Sequence, residues 1–246
     1  MKTSKCNRAV FGIITLISLL AMQILLGKAG YLVAGLIPYR SIDPFDSFAK
    51  ISIHHAVMLI IALLIIYVFG KKMNLDFNFQ LGDKKKGTKY LLVFMAVFAV
   101  ITIVQHAFMA FNNQLPVYKF PLDGRNIIGT LGFQLLLSGP AEEVVFRALP
   151  IILLIRSFGK SIKIKGSVTL EVILATILFA FAHVSWSLTP LHFKADSFQI
   201  VYALALGTIQ GIVYQRSKSI LYPVLMHSFS NVLMVGGGYV FIALFS

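Results

Sequence analysis

The chain has 246 residues, of which 58% are hydrophobic and only 13% charged, with 22 Lys and Arg against 9 Asp and Glu for a net charge of +13. A soluble domain carries about a quarter charged residues. Here charge is missing in whole blocks of roughly 17 to 25 residues, the length of helix that crosses ~30 Å of hydrocarbon, which excludes a single soluble core.

Within lipid every backbone N–H and C=O must be paired inside its own segment. The expected fold is therefore all-α, a polytopic transmembrane bundle of seven to eight helices. The first span, 9–27, follows Lys2, Lys5 and Arg8 and resembles a secretory leader. Its apolar run is too long for one and lacks a small-x-small cleavage site, so it reads as a retained anchor. The lone cysteine, Cys6, excludes a disulfide framework and a cysteine zinc site. The second span, 53–70, opens with His54 and His55, polar rings of the kind found at an outer interface. The lysines from Lys71 to Lys89 follow, then the third span, 89–111, with Gln105 and His106 near its outer end.

The fourth span, 127–155, contains Gly139-Pro140, Glu142, Glu143 and Arg147, with Gln134 as an interhelical hydrogen bonder. The fifth, 168–186, contains His183, and Trp186 at its end reads as an interfacial anchor. In the sixth, 198–214, Gln210 reads as another interhelical bonder and Gly207-x-x-x-Gly211 as a close-packing face. The seventh, 219–235, contains His227 and Asn231. The apolar tail 239–245 is too short to cross alone and could complete an eighth segment beyond Gly236–Gly238. Residues 1–126 thus form a three-helix membrane region, and 127–246 the part that carries chemistry.

Loop charges fix an orientation. Fifteen basic residues fall on the side of the N-terminus, against six on the other: Lys28, Arg40, Lys50, Lys119, Arg125 and Lys194. The asymmetry places the N-terminus in the cytoplasm of a multi-pass cell-membrane protein. The basic excess is a topology signal with membrane lipids as its partner, and no nucleic-acid partner is expected.

Six of the nine acidic residues lie in loops, and Glu171 lies near the cytoplasmic interface. Glu142 and Glu143 fall deep in the fourth span, where each charge costs about 2.5–3.5 kcal/mol if unpaired. Glu143 and Arg147, at i and i+4, share a face and can pair. Glu142 points about 100° away and has no partner at helical spacing. His227 and Asn231 share a face by the same rule. Counted from the nearest cytoplasmic basic residue at ~1.5 Å per residue, Glu142, His183 and Asn231 lie roughly 20–27 Å deep and His227 roughly 14 Å. The bland alternatives are a structural Glu–Arg clamp and histidines that merely join helices.

A buried carboxylate and a histidine that share a water can act as general base and orienting partner. A second histidine and an amide can donate to an oxyanion. Alternatively, Glu142, His183 and His227 could hold Zn²⁺ with one open position for metal-assisted hydrolysis. The residues by themselves leave both routes open. Neither needs a Ser or Cys nucleophile.

Glu142-Glu143-x-x-x-Arg147, Phe179-x-x-x-His183 and His227-x-x-x-Asn231 together resemble the three motifs of the CPBP family. That family groups CAAX prenyl endopeptidases with bacteriocin-processing and self-immunity proteins. The resemblance covers about residues 127–235 and implies an intramembrane endopeptidase of about eight helices, glutamate- or metal-dependent. It implies that Glu142 and His183 activate water, His227 and Asn231 stabilise the oxyanion, and Glu143 and Arg147 support the site. A peptide or membrane-protein substrate follows, in peptide processing or bacteriocin self-immunity. Two further classes use the same residues: a non-catalytic immunity or scaffold protein, and a proton-coupled transporter. The transporter would show paired broken helices in two halves, which the sequence does not.

Overall fold

The computed structural model of the protein describes residues 5–245. Lys2 lies outside them, as do the side chains of Lys5 and Cys6. The described residues form seven helices: α1 Lys5–Leu36, α2 Ala49–Met73, α3 Lys84–Phe111, α4 over 124–158, α5 Leu170–Ala182, α6 Ser197–Ser217 and α7 Leu221–Phe245. Two antiparallel hairpins complete the fold, β1 Lys163–Lys165 with β2 Val168–Thr169 and β3 Ser185–Leu188 with β4 Leu191–Lys194. Five helices (α1, α2, α3, α6 and α7) are long and apolar enough to cross a membrane, which makes this a multi-pass membrane protein.

Loop aspartates begin several of these helices. Asp83 accepts from the Lys86 N–H before α3, Asp123 from Asn126 before α4, and Asp196 from Phe198 and Gln199 before α6. Each satisfies a donor that the first helical turn leaves orphaned. Asp43, fully buried in the α1–α2 loop, accepts from Ser47 N at 2.9 Å and from Phe48 N and Ala49 N at 2.7 Å. Burial alone would push its carboxyl up, but these backbone donors hold it below the usual carboxylate value.

α4 lies at the centre, packed against α1, α2, α5, α6 and α7. Its helix widens twice, over Gln134–Ser138 and Val144–Ala148, into single π-type turns. Each wide turn ends just before a proline, Pro140 and Pro150. A proline cannot donate to the carbonyl four residues back and its ring crowds that oxygen, so the wider turn relieves the clash without breaking the helix. Between the two lies Gly139–Glu143, the short segment that carries both glutamates.

Two expected spans are corrected. The fifth, 168–186, is helical only over the 13 residues of α5, about 20 Å, so helix alone does not cover the ~30 Å of hydrocarbon in this segment. α5 ends at His183, whose N–H turns back to the Ala180 carbonyl, and the chain enters the β3–β4 hairpin. Trp186 accordingly lies in a strand rather than at a helix end. The tail 239–245 makes no eighth segment, because α7 runs unbroken through Gly236–Gly238. Those glycines let α3 approach closely. A Cβ on Gly237 would fall 3.0 Å from Thr102 and 3.2 Å from the His106 ring. Tyr239 then ties the tail to α4 through Thr130, 2.7 Å away.

Candidate active site

α4 presents the two glutamates in different directions, as the 100° step requires. Glu143 is fully buried and lies 3.3 Å from Arg147 Nε, also fully buried. Arg147 donates to Gln210 Oε1 at 2.9 Å and sits 4.1 Å over the Phe179 ring, a cation–π contact. Gly207 makes room for it, since a Cβ there would lie 3.3 Å from Arg147 Nη2. A Cβ on Gly211 would lie 2.8 Å from Val172, so the glycine pair is the packing face that its spacing predicts.

Glu143 holds the third motif in place. His227 Nδ1 lies 2.7 Å from Glu143 Oε1. A carboxylate paired with Arg147 only accepts, so Nδ1 carries the proton. In the neutral ring Nε2 is then an acceptor, 3.7 Å from Glu142 Oε2.

Glu142 itself faces a cavity of about 440 Å³ lined also by His183, His227, Asn231, Gln134 and Ser138. The structure thus brings all three motifs to one place, with Glu142 turned inward. Ser138 donates to Glu142 Oε1 at 3.3 Å. Asn231 Nδ2 lies 3.0 Å from Ser138 Oγ and 2.9 Å from Gln134 Oε1. An amide nitrogen has two hydrogens, and in this arrangement both are engaged. His183 Nδ1 lies 3.2 Å from Gln199 Nε2. The amide can only donate, so Nδ1 accepts and the neutral ring has its proton on Nε2.

One histidine of the site lies outside the motifs. His55, read from sequence as an interface ring, stands nearly two turns into α2, and its Nε2 lies 3.1 Å from Glu142 Oε1. No sequence spacing links it to α4, and only the packing of α2 on α4 reveals it. Gln105 lines the cavity, whereas His106 is buried, bonding to the Thr102 carbonyl. A second cavity of about 850 Å³, between α1, α2 and β3, meets the first at Glu142, His55 and His183.

The zinc candidates Glu142, His183 and His227 line one cavity, the first and last each with one ligating atom already engaged. His227 Nδ1 is engaged by Glu143 and His55 Nε2 by Glu142, and among the described residues no three His, Cys, Asp or Glu side chains come together as a metal-binding group.

A family model described as Rce1-like, type II CAAX prenyl endopeptidase, matches residues 124–233. The match runs from the start of α4 into α7 and agrees with the CPBP resemblance of the three motifs. No curated protein and no solved structure matches the chain.

Proposed function

From the match of residues 124–233 to the Rce1-like type II CAAX prenyl endopeptidases, we infer that this chain is an intramembrane endopeptidase that cleaves a peptide or membrane-protein segment with a water activated by Glu142. The observation that carries the reading is the free Oε2 of Glu142, which faces His227 Nε2 at 3.7 Å inside a cavity that His183 also lines.

A water there donates one hydrogen to Glu142 Oε2 and the other to His227 Nε2, leaving an oxygen lone pair for the substrate carbonyl. Glu142 takes the proton as the O–C bond forms. His183 Nε2–H stabilises the oxyanion, joined by Asn231 once the substrate displaces one of its present acceptors. Collapse of the tetrahedral intermediate breaks the C–N bond, and Glu142 returns its proton to the leaving amine. In this reading His227 orients water and His183 serves the oxyanion, reversing the roles that the family resemblance implies. The proton positions on the two rings support that reversal. Glu143 and Arg147 fix the tautomer of His227.

The reading places the enzyme in peptide processing or bacteriocin self-immunity in the cell membrane. Its test is cleavage by purified protein in lipid nanodiscs, with Glu142→Gln and His183→Ala as comparators. Both variants are expected to lose about 10²-fold or more in kcat. Cleavage is also expected to persist in chelator with no bound zinc. Full activity in both variants refutes the hydrolase, and a strict requirement for stoichiometric zinc refutes the glutamate mechanism.

A further inference from the structure

His55 comes from α2, outside the segment that matches the protease family, and both nitrogens of its ring are committed. Nδ1 lies 3.0 Å from the Ile51 carbonyl, which can only accept, so Nδ1 donates there. Nε2 lies 3.1 Å from Glu142 Oε1, and a carboxylate likewise only accepts, so with both nitrogens donating the ring is an imidazolium. It meets Phe133 and His54 edge-on, with centroids 4.9 and 5.1 Å away. The ring is buried.

The consequence falls on Glu142. Its Oε1 contacts both His55 and Ser138, while Oε2 faces His227 Nε2 at 3.7 Å. A glutamate has three side-chain torsions, and without an anchor its carboxylate would sweep across the cavity. With one oxygen fixed from α2, the other is held at the place where water is to be deprotonated.

We propose that His55 is a positioning residue for this site: it anchors Oε1 of Glu142 from α2 so that Oε2 alone meets the water beside His227. This rests on the hydrolase reading above. It also gives the N-terminal region a part in the chemistry, since the site is incomplete without α2. The competing explanation is a buried hydrogen bond that only joins α2 to α4. Such a bond would affect stability and spare the chemical step.

Three measurements separate these. In bilayers, solid-state NMR of protein labelled at histidine ¹⁵N and glutamate ¹³Cδ should show one His–Glu coupling that disappears in both His55→Leu and Glu142→Gln. Its absence from the wild type overturns the proposal without reference to activity. For kinetics the probe is a quenched fluorescent peptide, chosen from a random library because the wild type cuts it and Glu142→Gln does not. His55→Leu is expected to lower kcat about a hundredfold, the effect of a misplacement of ~1 Å, with KM within twofold and an unchanged thermal midpoint. His55→Gln, which can still donate to Oε1, should recover at least a tenth of the wild-type kcat. It also serves as the working comparison if the leucine variant fails to fold. Unchanged kcat in both variants overturns the proposal and leaves the hydrolase standing. If the wild type cuts no peptide in the library, the hydrolase reading itself fails, and the anchoring role in catalysis falls with it.

Discussion

Glu142 and Glu143 are neighbours in sequence with opposite duties, and the difference comes from what the helix turns each of them toward. Glu143 meets a fully buried arginine and a histidine, so its charge belongs to the structure. Removing one partner of a buried pair strands the other, which costs about 3–5 kcal/mol. Arg147→Met should therefore lower the stability of the purified protein by about that amount in chemical denaturation, whereas Glu142→Gln, at a carboxylate facing the cavity, should leave it nearly unchanged. Asp43 offers a test through pH. Its carboxyl is held below the ordinary value by backbone donors, so its contribution is fully present above the unfolded value of about 3.9 and is lost as pH falls through the lower folded value. Asp43→Asn should lose about 1–3 kcal/mol at neutral pH and show a flatter fall in thermal midpoint on acidification than the wild type.

At the scale of elements, the fourth helix carries the burden. Its two wide turns follow from Pro140 and Pro150; that the helix absorbs both prolines as π-type turns was not legible from the sequence. Gly139 is where α4 meets α7. An added Cβ would fall 2.8 Å from the Val224 carbonyl oxygen and 3.0 Å from the Ser228 nitrogen, backbone atoms that cannot rotate aside. Gly139→Ala should thus push the two helices apart, destabilising the protein by about 1–3 kcal/mol and weakening the contact of Asn231 with Ser138. Its cleavage rate should fall more than that of an alanine at Gly132, where a Cβ meets nothing. The fifth and last helices were misjudged for a common reason. Hydropathy measures whether a segment suits lipid, not where its hydrogen bonds stop. An apolar run therefore carried the fifth past its end at His183, and three glycines stopped the seventh short of Phe245.

Across the whole molecule, the basic residues make a prediction independent of chemistry. If the fifteen-to-six asymmetry sets orientation, single cysteines placed at Lys85 and Lys218 in a Cys6→Ser background should react with impermeant maleimide from the cytoplasmic side, and one at Lys119 from the opposite side. Labelling of Lys85 and Lys119 from the same side would overturn the orientation.

The sequence by itself determined the membrane environment, the helical class and the three-motif set on α4, α5 and α7, because lipid leaves the backbone few options and makes each buried charge conspicuous. It also paired Glu143 with Arg147, a contact within one helix that spacing alone dictates. Only the tertiary structure decided what depends on the approach of helices distant in sequence. His227 on Glu143, Asn231 on Ser138, Gln210 on Arg147 and His55 on Glu142 are contacts over 63 to 93 residues of chain. No periodicity encodes such pairings, since they follow from how whole helix faces pack.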